Sequence, residues 1–128
     1  MQLGIKGETK VKVNPSNTAE AMKSGLLPVF ATPMMVAIME DAAAKSVQPH
    51  LKEGQTTVGT LVNVKHLSAT PEGMEVRAES ELIEVDNRRL VFGVRAYDEK
   101  GLIGEGKHER FIIDAERFME KTNAKAAK

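Results

Sequence analysis

An almost wholly apolar segment in the first half of the chain most constrains its fold. Residues 30–45 read FATPMMVAIMEDAAAK, and apolar side chains would surround most of a helix formed by this segment. A helix that is apolar on most sides packs against several neighbours, whereas a helix on a protein surface shows one apolar stripe. We therefore expect a central helix that begins near Thr32 and Pro33 and ends near Val47, ahead of Pro49.

The remainder of the chain carries the two-residue period of β-strands. A short strand is predicted over residues 7–13, and a short helix over residues 16–22, after the turn residues Asn14 and Pro15. Four further strands, separated by turn residues, are expected over residues 56–66, 74–85, 89–97 and 102–113. A central helix followed by an antiparallel meander gives an α+β fold, in which the sheet wraps around the helix.

The size and charge of the chain predict one domain over residues 1–128. The 18 basic and 18 acidic residues cancel, so no net field would recruit nucleic acid or an anionic membrane surface. The chain lacks cysteine, and no apolar run approaches the roughly 18 residues of a membrane span. We expect a cytoplasmic protein without nucleic-acid or membrane partners, whose last residues, about 122–128, form a frayed tail.

Thr32 and Glu40 are the polar exceptions in the apolar segment. Thr32 has the residue type of an N-cap, and a hydroxyl at a helix start lies beside free N–H groups that can hold a polarised oxygen. Glu40 follows eight residues later, within about 80° of the same helical face. It belongs either to a solvated stripe with Asp41 or to an apolar environment, where a carboxylate with a suitable partner can act as a general base.

His66 is the predicted partner of Glu40. Alternation from Thr56 through Val64 predicts that the His66 ring lies on the apolar side of its strand, against the helix. A histidine in such a place is most commonly a hydrogen-bonded core residue. If it meets a carboxylate there, it can serve as an acid/base group near neutral pH.

Neither a metal site nor a cofactor site is predicted. The three histidines, His50, His66 and His108, are too scattered to show the spacing of metal ligands. The glycine-rich run at residues 101–106 has the pattern of a hairpin entering a strand, whereas a phosphate-binding loop follows a strand and opens a helix. The chemistry is therefore expected to need no metal ion.

Four segments occur in the order and at the spacings of a known family. They are VFATPMMVAIMEDAA at 29–43, VGTLVNVKHLSATPEGMEV at 58–76, VDNRRLVFGVRAYDE at 85–99 and GEGKHERFII at 104–113. The chain resembles the hotdog-fold acyl-CoA thioesterases of the fluoroacetyl-CoA thioesterase type. The resemblance implies a hotdog fold and the hydrolysis of an acyl-CoA to a free acid and CoA, with no cofactor beyond the CoA of the substrate.

The resemblance also implies catalytic residues and an assembly. The catalytic threonine, glutamate and histidine of the family match Thr32, Glu40 and His66. Glu40 would act as nucleophile or as the base that directs water, and these two roles stay open. The family builds each active site at a homodimer interface, so we expect a homodimer, possibly paired into a tetramer.

Gly59, Phe30 and Leu26 are the predicted substrate-binding residues. Gly59 matches the family's glycine near the acyl group, and Leu26 and Phe30 lie in a lid segment, residues 21–30. The lid segment has Leu26 and Leu27 where the fluoroacetyl enzyme carries phenylalanine, and a single fluorine atom gives a binding site little to discriminate by. We therefore expect a short- or medium-chain acyl-CoA and do not carry over the fluoroacetyl specificity.

Two other functions fit the same sequence. A hotdog hydratase or dehydratase acting on enoyl-CoA would use a similar acid/base pair without a nucleophile. A non-catalytic acyl-CoA binding protein would keep Thr32, Glu40 and His66 in structural roles. The products formed from a panel of acyl-CoAs distinguish these alternatives from a thioesterase.

Overall fold

Five antiparallel strands and one long helix form the core of the computed structural model, which describes residues 1–127. The elements are β1 (Lys6–Lys12), α1 (Thr32–Val47), a 3-10 turn (Gln48–His50), β2 (Gln55–His66), β3 (Glu75–Asp86), β4 (Arg89–Asp98), β5 (Gly101–Asp114) and α2 (Ala115–Ala124). The strand order in the sheet is β1-β3-β4-β5-β2, so β1 and β2 are its two edges. This architecture confirms the predicted α+β arrangement of a sheet packed around a helix.

Helix α1 is buried on the sides that its sequence predicts. Its buried residues are Met35, Ile38, Met39, Ala42, Ala43 and Val47. All of these except Ala42 share one apolar cluster with inward-facing residues of β3 and β4, which are Val76, Ala78, Leu82, Leu90, Phe92, Val94 and Ala96. Each large apolar side chain buried in this way contributes about 1.5–3 kcal/mol, so the contact between helix and sheet is the main source of stability.

The start of α1 differs from the prediction by one residue. Ala31, with extended backbone angles of φ −75° and ψ 137°, is the N-cap, and Thr32 is the first helical residue. The carbonyl of Ala31 accepts a helical hydrogen bond from the N–H of Met35 at 3.0 Å. Because no side chain caps the helix, the prediction of Thr32 as N-cap is wrong. Its hydroxyl is left for another contact.

The predicted helix over residues 16–22 is also wrong. The chain there folds back on itself in turns, and the N–H of Ala19 donates to the carbonyl of Val29 at 2.7 Å. An N–H that bonds across to the returning chain cannot take part in a helical ladder. The lid segment is the returning chain, and Leu26 near its tip is 89% exposed.

Strand β2 contains a β-bulge. In its pairing with β5, Gly59 lies opposite Arg110 and Leu61 lies opposite Glu109, so Thr60 is an extra residue. An extra residue in one strand shifts the alternation of side chains by one position. The side chains that face α1 therefore change parity at the bulge.

The two halves of β2 consequently differ from the predicted pattern in different ways. Before the bulge, Thr57 is buried and Gly59 lies against α1, so Thr56 points to the opposite face. After the bulge, Val64 packs on the core and His66 reaches the start of α1, as predicted. The single continuous face predicted from Thr56 to His66 is wrong in its first half.

The other strands and turns of the second half are confirmed to within one or two residues. A two-residue turn joins β3 to β4, and Asn87 in this turn has a φ of 56°, which asparagine tolerates better than most residues. The turn between β4 and β5 places Asp98 opposite Gly101, as the DEKG sequence predicts.

The tail is more ordered than predicted. Helix α2 extends to Ala124, so residues 122–124 are helical and the prediction of a frayed segment is wrong for them. A basic residue, Lys121, in the last turn is favourable for a helix C-terminus. Lys128, also part of the predicted tail, lies outside the described residues.

The close approach of α1 to β1 predicts a large effect of Gly7→Ala. A Cβ at Gly7 would collide with the carbonyl oxygen of Ala42 and would lie 2.9 Å from Ser80 Oγ. Because a backbone atom cannot move aside cheaply, we expect this substitution to lower the free energy of unfolding by about 1–3 kcal/mol in urea denaturation. The matched control is Gly93→Ala, whose Cβ would have its nearest neighbour 3.9 Å away in Ile83. Equal effects of the two substitutions would contradict this account of the packing.

Candidate active site

Thr32 and His66 form a pair of polar side chains at the start of α1. The hydroxyl oxygen of Thr32 lies 2.7 Å from Nδ1 of His66, at the end of β2. The Nε2 atom of His66 is buried and has no hydrogen-bond partner within residues 1–127. Burial lowers the pKa of His66, so the ring is neutral at neutral pH. The pair thus presents an imidazole with one nitrogen oriented by a hydroxyl and the other unengaged.

A pocket of about 260 Å³ opens beside the Thr32–His66 pair. Phe30, which is 1% exposed, lines it together with small and apolar side chains such as Ala19, Val29 and Ala69. The structure therefore places Phe30, a predicted substrate-binding residue, next to two predicted catalytic residues. Leu26 projects into solvent and is not among the residues that line this pocket.

Glu40 lies in a second group of polar side chains, which we call the Glu40 cluster: Glu40, His108 and Arg110. The Oε2 atom of Glu40 is 3.5 Å from Nη1 of Arg110 and 3.8 Å from Nε2 of His108. The Glu40 side chain is 37% exposed, so it is not enclosed by apolar groups. Within one chain its charged neighbour is Arg110, and the expected contact with His66 is not made.

Arg110 is a buried cation held mainly by uncharged groups. Its Nε donates to the hydroxyl of Thr57 at 2.8 Å, and its Nη2 donates to the carbonyl of the same residue at 3.0 Å. Its Nη1 lies 3.1 Å from Nε2 of His108. Burial lowers the pKa of Arg110, although a guanidinium keeps its charge throughout the physiological range. A fixed positive charge therefore lies beside the carboxylate of Glu40.

Gly59 lies directly against the Glu40 cluster. A Cβ at this position would be 2.6 Å from Oε2 of Glu40 and 3.3 Å from both Nη1 of Arg110 and Cε1 of His108. A side chain at position 59 would therefore displace the carboxylate. The predicted substrate-binding glycine thus permits the close approach of the β2 backbone to Glu40.

The predicted catalytic residues fall into two separate groups within one chain. Thr32 and Glu40 are eight residues apart, which corresponds to about 12 Å along the axis of α1. Gly59 and His66 are seven residues apart along β2, which corresponds to about 20 Å or more. One protomer therefore carries two half-sites, the Thr32–His66 pair and the Glu40 cluster.

His108 and Arg110 were not predicted as site residues. Their spacing of two residues along β5 indicates that both side chains lie on one face of the strand. That face is the inward one, since His108 is completely buried and Arg110 is 8% exposed. The sequence did not show that the face contains Glu40, because the contact depends on the packing of α1 across the sheet.

The candidate site offers acid/base and charged groups. Within residues 1–127, no three side chains of histidine, aspartate or glutamate are grouped so that they could hold a metal ion. In the same range, no helix is long and apolar enough to cross a membrane.

The functional groups present in the two half-sites are a hydroxyl, two imidazoles, a carboxylate and a guanidinium.

Burial of His66 and His108 predicts a loss of stability in acid. Burial lowers the pKa of each below the ordinary value of 6.5. Between the lowered pKa and 6.5 the unfolded chain binds more protons than the folded chain. The free energy of unfolding is therefore highest above pH 6.5 and falls as the pH drops below that value. We expect the Tm of the wild type to fall between about pH 7.5 and pH 5.5, and to fall less in His108→Gln. Identical pH dependence in the two proteins would contradict the assignment for His108.

Comparison with known proteins identifies the family of the chain. The family model described as fluoroacetyl-CoA-specific thioesterase matches residues 13–116. A fluoroacetyl-CoA thioesterase from Streptantibioticus cattleyicolor is 42% identical over 97 residues, which are 76% of this chain and 70% of that protein.

Solved structures agree with the sequence comparison. The structure of a fluoroacetyl-CoA thioesterase superposes with a TM-score of 0.91 at 35% identity and covers 98% of this chain and 97% of its own. A thioesterase superfamily member from Thermus thermophilus gives a TM-score of 0.87 at 31% identity, over 99% and 97% of the two chains. The predicted hotdog fold is confirmed by these likenesses. The chain belongs to the family of fluoroacetyl-CoA-specific thioesterases.

Proposed function

We propose that this protein is an acyl-CoA thioesterase that hydrolyses a short- or medium-chain acyl-CoA to a free acid and CoA. The observation that carries the proposal is the Thr32–His66 pair, with its hydroxyl 2.7 Å from Nδ1 and its unengaged Nε2, beside a pocket of about 260 Å³. A pocket of this size has room for a short or medium acyl group. The family relationship supports thioester hydrolysis as the reaction.

Hydrolysis requires an activated water or nucleophile, a stabilised oxyanion and a proton for the leaving thiolate. In this proposal the Glu40 carboxylate either removes a proton from the attacking water or attacks the carbonyl carbon itself. The oxygen–carbon bond forms as the carbonyl becomes an oxyanion, and the carbon–sulfur bond then breaks. Where Glu40 is the nucleophile, water then cleaves the acyl–Glu40 anhydride to give the free acid and restore the carboxylate. The neutral ring of His66 takes up the proton that the attacking water loses and passes it to the thiolate of CoA. Thr32 keeps the ring of His66 in its orientation.

The oxyanion needs donors that are in place before the reaction. The backbone N–H of Gly59 is our proposed donor, because the missing side chain lets substrate approach the main chain beside Glu40. The positive charge of Arg110 lies 3.5 Å from Glu40 and favours the anionic carboxylate that either role requires. Gly59 and Arg110 thus belong to the same half-site as the proposed base or nucleophile.

A complete site requires Glu40 and His66 to meet, and a homodimer is the arrangement that we propose. Strand β2 is an edge strand whose free side is unpaired within the described chain, and such an edge is a ready template for a second strand. Leu61 and Val62 in its middle are 45% and 40% exposed. These features support pairing of β2 with its own copy.

Pairing of β2 with its copy has a definite geometric consequence. In an antiparallel pair about a two-fold axis at residue 63, position 65 of one strand lies opposite position 61 of the other, and the extra residue at the bulge brings position 66 opposite position 59. Because Glu40 lies against Gly59, this register brings the Thr32–His66 pair of one protomer to the Glu40 cluster of the other. Each dimer would then contain two complete sites.

The proposed reaction predicts the loss of thiol release in two variants. Wild type, Glu40→Ala and His66→Ala are incubated with acyl-CoAs of increasing chain length, and free thiol is measured alongside hydration of an enoyl-CoA. We expect hydrolysis of short or medium chains by the wild type and a loss in kcat of about 100-fold or more in each variant. Absence of thiol release from every substrate would sink the thioesterase assignment, and enoyl hydration in its place would favour a hydratase.

The shared site predicts complementation between inactive variants. If Glu40→Ala and His66→Ala protomers exchange freely, half of the dimers are mixed and each mixed dimer has one intact site. We therefore expect a 1:1 mixture to regain about a quarter of the wild-type activity after exchange, while neither variant alone is active. A mixture that stays inactive although mixed dimers form would place the site within one chain. A monomer in light scattering at micromolar concentration would likewise rule out the dimer.

A further inference from the structure

His108 is a buried ring whose hydrogen bonds define a single tautomer. Its Nδ1 lies 2.8 Å from the carbonyl oxygen of Leu61, which can only accept, so Nδ1 must carry the proton. Its Nε2 lies 3.1 Å from Nη1 of Arg110, which can only donate, so Nε2 must present its lone pair. The neutral ring therefore satisfies both partners at once.

The surroundings of His108 prevent other orientations of the ring. The side chain is completely buried and stacks on Phe92, with ring centroids 6.3 Å apart and an angle of 30° between the planes. A flipped ring would place a C–H group against each of its two polar neighbours. Leu61 is the first residue after the bulge of β2, so the anchor of the ring depends on the same irregularity that places Gly59.

The geometry of Arg110 shows what His108 contributes. Thr57 holds the Nε and Nη2 side of the guanidinium through two hydrogen bonds. The Nη1 group has two N–H bonds, and Nε2 of His108 accepts one of them. A planar NH₂ group with one hydrogen fixed has its second hydrogen fixed as well. That second hydrogen is the one available to Glu40, whose Oε2 lies 3.5 Å away.

We propose that His108 is a positioning residue, which acts through Arg110 to aim the guanidinium at the carboxylate of Glu40. The inference rests on the proposed function of Glu40 in thioester hydrolysis. The contact between Arg110 and Glu40 is long, and Glu40 is partly exposed, so the carboxylate alone does not hold the guanidinium in place. Hydrogen bonds to His108 and Thr57 hold the guanidinium in place. The carboxylate of Glu40 is therefore oriented by a cation that is already fixed. Burial keeps the ring in the neutral form that this role requires.

Two variants of matched polarity separate positioning from packing. The side chain of His108→Gln reaches the place of Nε2 and can accept the hydrogen bond from Arg110. The shorter side chain of His108→Asn can donate to the carbonyl of Leu61 in the place of Nδ1, but it does not reach Arg110. Both substitutions remove the ring stacked on Phe92, so both lose similar packing, and thermal unfolding provides the measure of that loss.

The kinetic test compares kcat and KM of the full-length dimer on its best acyl-CoA substrate. We expect His108→Gln to keep kcat within about 3-fold of the wild type and His108→Asn to lose about 10- to 100-fold, with KM changed by less than about 3-fold in both. A uniform structural defect would instead lower both variants together. Equal kcat values in the two variants at equal Tm would overturn the positioning role.

A second measurement tests the anchor of Arg110 without reference to activity. In ¹⁵N NMR spectra, a guanidinium fixed at both ends gives separate Nη1 and Nη2 signals, and loss of one anchor speeds the rotation that merges them. We expect separate signals in the wild type and in His108→Gln and merged signals in His108→Asn. Unchanged Arg110 signals in His108→Asn would overturn the proposal. Absence of hydrolysis by the wild type would overturn the proposed function, and these spectra would then decide whether His108 holds Arg110.

Discussion

The packing of α1 against the sheet determines where every group of the candidate site lies. Small residues, Ala42 and Ala43, face the sheet on the buried side of the helix, and Gly7 lets β1 approach its backbone. The helix axis is therefore fixed closely against β1 and β3. Thr32 at its start then reaches His66, and Glu40 two turns later reaches the opposite part of β2. The same apolar contact that stabilises the domain thus sets the separation of the two half-sites.

The charge distribution of the site depends on burial as well as on sequence. The cation of Arg110 is almost completely enclosed, and uncharged groups satisfy most of its donors. A guanidinium held in this way costs desolvation energy, and within residues 1–127 only the carboxylate of Glu40 lies near enough to compensate for it. The partly exposed Glu40 is accordingly constrained on its inner side by protein and open on its outer side. That combination suits a carboxylate that must meet a substrate arriving from outside the chain.

The sequence predicts the regular parts of this structure and not the irregular ones. The period of α1 and the alternation in β3, β4 and β5 follow from burial of one face, so they can be read directly from residue types. The bulge at Thr60 is one residue in an otherwise regular strand, and nothing in the local pattern marks it. The turns before α1 depend on pairing between Ala19 and Val29, which is tertiary. His108 and Arg110 became site residues only because the inward face of β5 passes beneath Glu40.

The bulge in β2 allows both halves of the strand to direct site residues toward the interior. A regular strand offers the interior a single set of alternate positions, but the additional residue at position 60 lets both Gly59 and Val64 belong to that set. A deletion there would preserve every hydrophobic residue and the length of the helix, and yet it would turn either the glycine or the histidine half of the strand away from the interior. The spacing between Gly59 and His66 is therefore a sequence marker for relatives that can build the same site. An insertion or deletion between those two residues is a more telling departure than a substitution of either.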